Sequence, residues 1–252
     1  MCFEMIFIHF LSSIMVTFSV TSYNSRARGR GRMDTIRQLC NESDFVLVQE
    51  HWLLPQNLAT FQQISGIACH GFSAIDLEVL LIGRPFGGCS ILYKTALDCK
   101  VSPADCGDSR VCAVRVDLES SSFLLFNVYM PTDTKSDMEN VEVFDEVLSA
   151  ISSISSDSPV DRIVVRGDFN TDFSRNASLH TRSLISFLNN ECLCEPRNTI
   201  DYTFENIHSG DKSFIGHIFI SANLADSVDS YVVSHLGDNL SDHSPITLMF
   251  DV

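Results

Sequence analysis

Strand-like runs outnumber helical ones along this chain by more than two to one, and many neighbouring runs are joined too briefly for a helix to cross between them. Runs rich in Val, Ile and Phe fall at 14–23, 45–49, 88–93, 111–118, 123–129, 162–166, 214–220 and 246–251. Helical spacing is confined to three stretches. Residues 32–40 set Met33, Ile36 and Cys40 on one face, 138–154 set Phe144, Val147, Leu148, Ile151 and Ile154, and 180–190 carry Leu184, Ile185 and Leu188. Short joins argue against a strictly alternating doubly wound sheet. The expected fold class is α/β, with paired mixed β-sheets and helices outside them.

A length of 252 residues and a hydrophobic share of 45% allow a large core, and no composition break or internal repeat divides the chain. One domain over 14–252 is expected, preceded by an apolar N-terminal extension, 1–13. The first twenty residues also raise a signal or anchor reading. Glu4 and His9 interrupt them, no basic stretch precedes them, and 14–23 alternate as a first strand does, so no stable membrane partner is expected. Nine cysteines are scattered without a paired CxxC spacing, and Cys89 and Cys112 fall inside apolar runs. Reduced thiols packed as small hydrophobes, and an intracellular setting, follow from that pattern.

A formal charge of −15 is awkward for a protein that binds a polyanion, since such binding draws on Lys and Arg. Local distribution matters more than the sum. Arg26, Arg28, Arg30 and Arg32 follow the first strand in the run Arg-Ala-Arg-Gly-Arg-Gly-Arg. A charge run taken alone is usually a solvated loop. Its place beside Asn24 favours phosphate contact.

Polar residues suited to chemistry stand at strand ends. Residues 163–170 read Ile-Val-Val-Arg-Gly-Asp-Phe-Asn, an interior strand that turns at Gly167 and then presents Asp168 and Asn170. An ionised carboxylate can take a proton from water, and the amide beside it can donate to a phosphate oxygen without adding negative charge. Asn24 follows the first strand, Gln49-Glu50 the second, Tyr129 the run 123–129, and Asp242-His243 precede the last. Three carboxylates, the amides of Asn24 and Asn170, a phenol and an imidazole suit a hard divalent cation. Glu50 is the best ligand among them, with Asp242 completing the inner or outer shell. His243, fixed between Asp242 and Ser244-Pro245, is a donor to a developing phosphorane charge. Taken singly, Glu50 would be a strand-end carboxylate in water, Tyr129 a sheet aromatic and His243 a structural histidine.

In this order the stations resemble the endonuclease/exonuclease/phosphatase superfamily, whose fold is a four-layer sandwich of two sheets flanked by helices. The resemblance rests on Asn24, Gln49-Glu50, Val128-Tyr129-Met130-Pro131, Gly167-Asp168-Phe169-Asn170 and Ser241-Asp242-His243-Ser244-Pro245. More narrowly, 47–53, 83–88, 127–131 and 167–172 resemble the endonuclease domain of non-LTR retrotransposons, which nicks target DNA. The resemblance implies Mg²⁺, or Mn²⁺ in its place, on Glu50 with help from Asn24 and Asp242. It implies Asp168 at the attacking water, Asn170 at the scissile phosphate, and Tyr129 and His243 at the transition state. A monomer acting on duplex DNA, leaving 3′-hydroxyl and 5′-phosphate ends, is the expectation.

Two departures qualify it. In Ser213-Phe-Ile-Gly-His-Ile-Phe-Ile-Ser221 the family carries aspartate where this chain has Gly216, and that aspartate pairs with the catalytic histidine. Activity lowered by roughly ten- to a thousandfold is expected, less than the ~10⁴ of a triad aspartate lost from a metal-free enzyme. No reverse-transcriptase region follows Val252, as expected of a truncated element, a domesticated domain or a partial gene model. A small-substrate phosphoesterase with the same core residues, and a folded remnant without turnover, are the alternatives to a nuclease.

Overall fold

The computed structural model describes residues 15–26, 32–75, 86–104, 107–133, 138–158, 160, 162–174, 178–196, 201–235, 237 and 239–252. The N-terminal extension, Arg28 and Arg30 lie outside them. In chain order the elements are β1 (Thr17–Asn24), α1 (Arg32–Glu42), β2 (Phe45–Gln49), β3 (Ile67–Phe72), β4 (Cys89–Lys94), β5 (Lys100–Pro103) and β6 (Val111–Asp117). Then come β7 (Ser122–Tyr129), α2 (Met138–Asp157), β8 (Ile163–Asp168), α3 (Leu179–Asn190) and β9 (Leu193–Cys194). A short ribbon of β10 (Phe204–Glu205) and β11 (Lys212–Ser213) precedes β12 (Gly216–Ser221), β13 (Val228–Val233) and β14 (Ile246–Asp251).

Two six-stranded mixed sheets result, ordered β13-β14-β1-β2-β4-β3 and β5-β6-β7-β8-β12-β9. Each has one parallel pair at its centre, β1–β2 and β7–β8, joined through α1 and α2 respectively. Every other pairing in the two sheets is antiparallel. This is the expected α/β sandwich of two mixed sheets with helices outside.

The period-two patterns decide which side chains meet between the sheets. Phe18, Val20, Phe45, Leu47, Val114, Phe123, Leu125, Val164 and Phe250 form the inter-sheet core. Phe144, Val147, Leu148 and Ile151 of α2 and Leu184 and Phe187 of α3 cover the outer face of the second sheet. Ile36, Leu39 and Cys40 of α1 cover the first. Each buried aliphatic or aromatic side chain contributes about 1.5–3 kcal/mol. Arg166 is the exception within this core. Its fully buried guanidinium donates to the Val20 and Ile246 carbonyls of the facing sheet, and burial pushes its pKa down to about 9.

All eight strand-like runs of the sequence become strands, the first over 17–24 instead of 14–23. Unexpected are β3, β5, β9 and β13, which are the four sheet edges, and the β10–β11 ribbon. On α3 the buried stripe is His180, Thr181, Leu184 and Phe187. Ile185, expected on that face, is 45% exposed. No helix of the described residues is long and apolar enough to cross a membrane. The seven cysteines among the described residues are free thiols.

Candidate active site

Because β1 and β2 run parallel in one sheet and β7 and β8 in the other, their C-terminal ends lie at one edge of the sandwich. Asn24 lies opposite Gln49, and Tyr129 opposite Asp168. Asn24 joins the two halves: its Nδ2 donates to Glu50 Oε1 at 2.9 Å and to Asp168 Oδ2 at 2.6 Å. Gln49 faces inward, donating to Asn127 Oδ1 at 2.5 Å and Ser22 Oγ at 3.0 Å, while Asn127 donates to the Val48 and Ser90 carbonyls. That closed network leaves Gln49 as the buried support on which Glu50 stands.

Backbone geometry at the strand exits is unusual. Arg26, Glu50, Trp52 and Asn170 have φ of 41°, 49°, 54° and 49°, which non-glycine residues adopt at a cost of about 1–3 kcal/mol each. Trp52 Nε1 donates to Glu50 Oε2 at 3.2 Å, and the phenol of Tyr129 also hydrogen-bonds Glu50. Burial, then the charges of Glu50 and Asp168, push the Tyr129 hydroxyl far above its ordinary range, so it stays a donor. At β8, Gly167 permits the close approach of β7: a Cβ there would collide with the Val128 backbone. Asn170 closes the turn, its N donating to Asp168 Oδ1 at 3.1 Å and its Nδ2 to the Met130 carbonyl at 2.9 Å.

Asp168 is 2% exposed, and burial raises its pKa, opposed by His243 and the Asn24 hydrogen bond. Burial likewise lowers the pKa of His243, opposed by the charges of Asp168 and Glu50. His243 Nε2 lies 3.8 Å from both Asp168 Oδ2 and Asp242 Oδ1. Among the described residues no side chain hydrogen-bonds its ring, which rests edge-on against Phe204 with centroids 5.0 Å apart.

One ligand atom each from Glu50, Asp168 and His243 lie within 4.8 Å of one another, a group that could hold a metal ion. Asp242 lies at its margin. One of its oxygens pairs with Arg26, and the other is buried without a hydrogen-bond partner. Arg26 therefore sits in the cleft but is engaged by a carboxylate. Arg32 is buried at the start of α1 and donates to the Leu240 carbonyl at 3.2 Å, so it braces the loop before Asp242. The cleft in front of these groups, about 370 Å³, is walled on its far side by Thr132, Asp133, Phe204, Ser213 and Ile215.

Gly216 opens β12 directly opposite Asp168. Its N–H donates to Thr203 Oγ1 at 2.8 Å, and the same hydroxyl accepts from Ile215 N at 3.0 Å. A Cβ at 216 would lie 3.1 Å from Ile246 Cδ1 and 3.4 Å from Thr203 Oγ1, so a side chain fits if the isoleucine methyl gives slightly. A small hollow of about 10 Å³ beside it is bordered by Gly216, Asp168, Thr203, His243 and Ser244. Thr203 escaped the sequence reading. It lies just before the two-residue strand β10, where no periodicity marks it.

Residues 123–247 match a family model described as endonuclease-reverse transcriptase. No curated protein matches the chain. Among solved structures, a 3′ phosphatase from Neisseria bound to a product DNA hairpin is 18% identical, with a TM-score of 0.69 over 93% of this chain and 100% of that one. An AP endonuclease from Archaeoglobus fulgidus is also 18% identical, with a TM-score of 0.70 over 93% and 100%. The endonuclease domain of TRAS1, a telomere-specific non-LTR retrotransposon, is 16% identical, with a TM-score of 0.68 over 92% and 98%. At such identities these structures show a common fold.

Proposed function

Since this chain belongs to the endonuclease/exonuclease/phosphatase superfamily, we propose that it is a metal-dependent phosphodiesterase that nicks DNA in the manner of a retrotransposon endonuclease. The observation that carries the reading is the convergence, within 4.8 Å, of ligand atoms of Glu50, Asp168 and His243 from three separated segments, Glu50 and His243 lining one open cleft and Asp168 buried behind them.

The donor set fits Mg²⁺. Glu50 and Asp168 offer hard carboxylate oxygens oriented by Asn24, and Asp242 Oδ1 is a buried oxygen without a hydrogen-bond partner. Glu50 and Asp242 would hold the ion, supported by Asn24, with Mn²⁺ able to replace it. When bound, it would neutralise charge on the phosphate and its transition state. Asp168, whose burial makes it a stronger base than a solvated carboxylate, takes the proton of the attacking water. Asn170 offers its amide to the phosphate once the Met130 carbonyl is released or shared. Tyr129, held protonated, donates to a phosphoryl oxygen, and a ring N–H of His243 supports the developing charge. The Arg26 segment approaches the phosphate backbone, with Arg28 and Arg30 beside it in sequence. The products are a 3′-hydroxyl and a 5′-phosphate.

Gly216 weakens this machinery, because no carboxylate comes within hydrogen-bond range of the His243 ring to fix it. A charge of −15 favours the second reading, a phosphoesterase for small anionic substrates, which needs less basic surface. Supercoiled plasmid and small phosphomonoesters, each offered with Mg²⁺, separate the two. Plasmid nicking without phosphate release is the expected result. Phosphate release alone would replace the nuclease by the phosphoesterase, and neither reaction would leave a folded remnant.

A further inference from the structure

A second hydrogen-bonded chain stands behind the loop that carries His243. His235, just after β13, places Nδ1 2.9 Å from Ser244 Oγ and Nε2 3.0 Å from Asp201 Oδ2. With Nε2–H donating to the carboxylate, Nδ1 is left to accept from the Ser244 hydroxyl. Tyr202 stacks on the His235 ring at 4.3 Å between centroids and 22° between planes, and Lys212 Nζ lies 3.8 Å from the centroid of the Tyr202 ring. Imidazole orientation is thus fixed by a carboxylate, a hydroxyl and a stacked ring. The carboxylate and the stacked ring come from residues 201 and 202, and the hydroxyl belongs to the loop that carries His243.

Ser244 directly follows His243. It borders the hollow beside Gly216, and its backbone N–H donates to the Thr203 carbonyl at 2.8 Å. On the inner side, the imidazole of His243 meets only carboxylate oxygens 3.8 Å away, beyond hydrogen-bond range. We infer that His235 is a positioning residue for His243, and that the Asp201–His235–Ser244 chain braces the loop from outside, where an inner carboxylate at position 216 would otherwise brace the ring. This rests on the nuclease reading. It adds that Gly216 and His235 are energetically coupled although they share no contact.

A double-mutant cycle tests it, read by plasmid nicking and by amide hydrogen exchange over 241–245. His235→Ala is expected to lower kcat about tenfold or more with KM held within about twofold, since misplacing a catalytic group acts on the chemical step. His235→Asn, which keeps an acceptor near Nδ1, restores most of kcat and slows the exchange that His235→Ala accelerates. In the Gly216→Asp background, His235→Ala changes kcat by less than about twofold. Equal losses in the two backgrounds, a loss confined to KM, or unchanged exchange would each overturn the inference. If the unsubstituted protein fails to nick, the nuclease reading falls and exchange alone decides the brace. Should His235→Ala fail to fold, Asp201→Ala at the half-exposed end of the chain takes its place in the cycle.

Discussion

Asp168 carries a charge where burial opposes one, and its surroundings only partly relieve the conflict. A raised native pKa means a contribution to stability that is complete below the ordinary carboxylate value and lost as pH rises through the native one, so at neutral pH this residue costs stability. Asp168→Asn is therefore expected to lower cleavage by about 10²–10⁴-fold while leaving Tm at pH 7 unchanged or higher, measured by nicking and thermal melting. A melt several degrees lower would show that Asp168 serves the fold. His51 has the opposite sign. Its Nδ1 accepts from Leu53 N, its Nε2 meets the Phe72 carbonyl, and burial lowers its pKa to about 4. It contributes stability above its ordinary pKa that is lost as pH falls toward the native one, about 3 kcal/mol in all between roughly pH 6.5 and 4. Urea unfolding across that range should show a flatter pH dependence in His51→Gln than in the unsubstituted chain; parallel curves would remove His51 from the account.

At the scale of elements, what could be read from the sequence follows burial. Strands covered on both faces, such as β2 and β8, write long apolar runs and were found. The edge strands β3, β5, β9 and β13 bury one side at most and write no such run. The α3 stripe differs from the expected one because Ile185 is apolar yet exposed, while His180 and Thr181 are polar yet buried, His180 stacking on Phe144 of α2. The parallel pair β7–β8 does the most to place the site, and it depends on the absence of a side chain at Gly167. Gly167→Ala would drive a methyl into the Val128 backbone and should cost about 3 kcal/mol or more, with loss of activity, by chemical denaturation. A cost below about 1 kcal/mol would mean that the strands can separate without penalty.

On the scale of the whole molecule, the order of the stations was legible because each follows or precedes a strong strand, and two parallel pairs bring four strand ends to one edge. Their mutual geometry was not. Nothing in the sequence distinguishes Arg26, paired with Asp242, from Arg32, buried under Leu240, nor marks Thr203 as the residue that caps Gly216. An acidic molecule that gathers carboxylates in one cleft is suited to phosphate chemistry chiefly with a divalent cation present, so activity and metal should rise and fall together. The central claim is an intact nuclease cleft weakened at one position. Its most direct test is Mg²⁺-dependent nicking of supercoiled DNA by the unsubstituted chain and by Gly216→Asp, with the new ends offered to a DNA polymerase. The account predicts slow nicking that is lost on chelation, accelerated roughly ten- to a thousandfold by the substitution, with 3′ ends extended without further processing. Equal rates for the two proteins, or ends that the polymerase cannot extend, would contradict it.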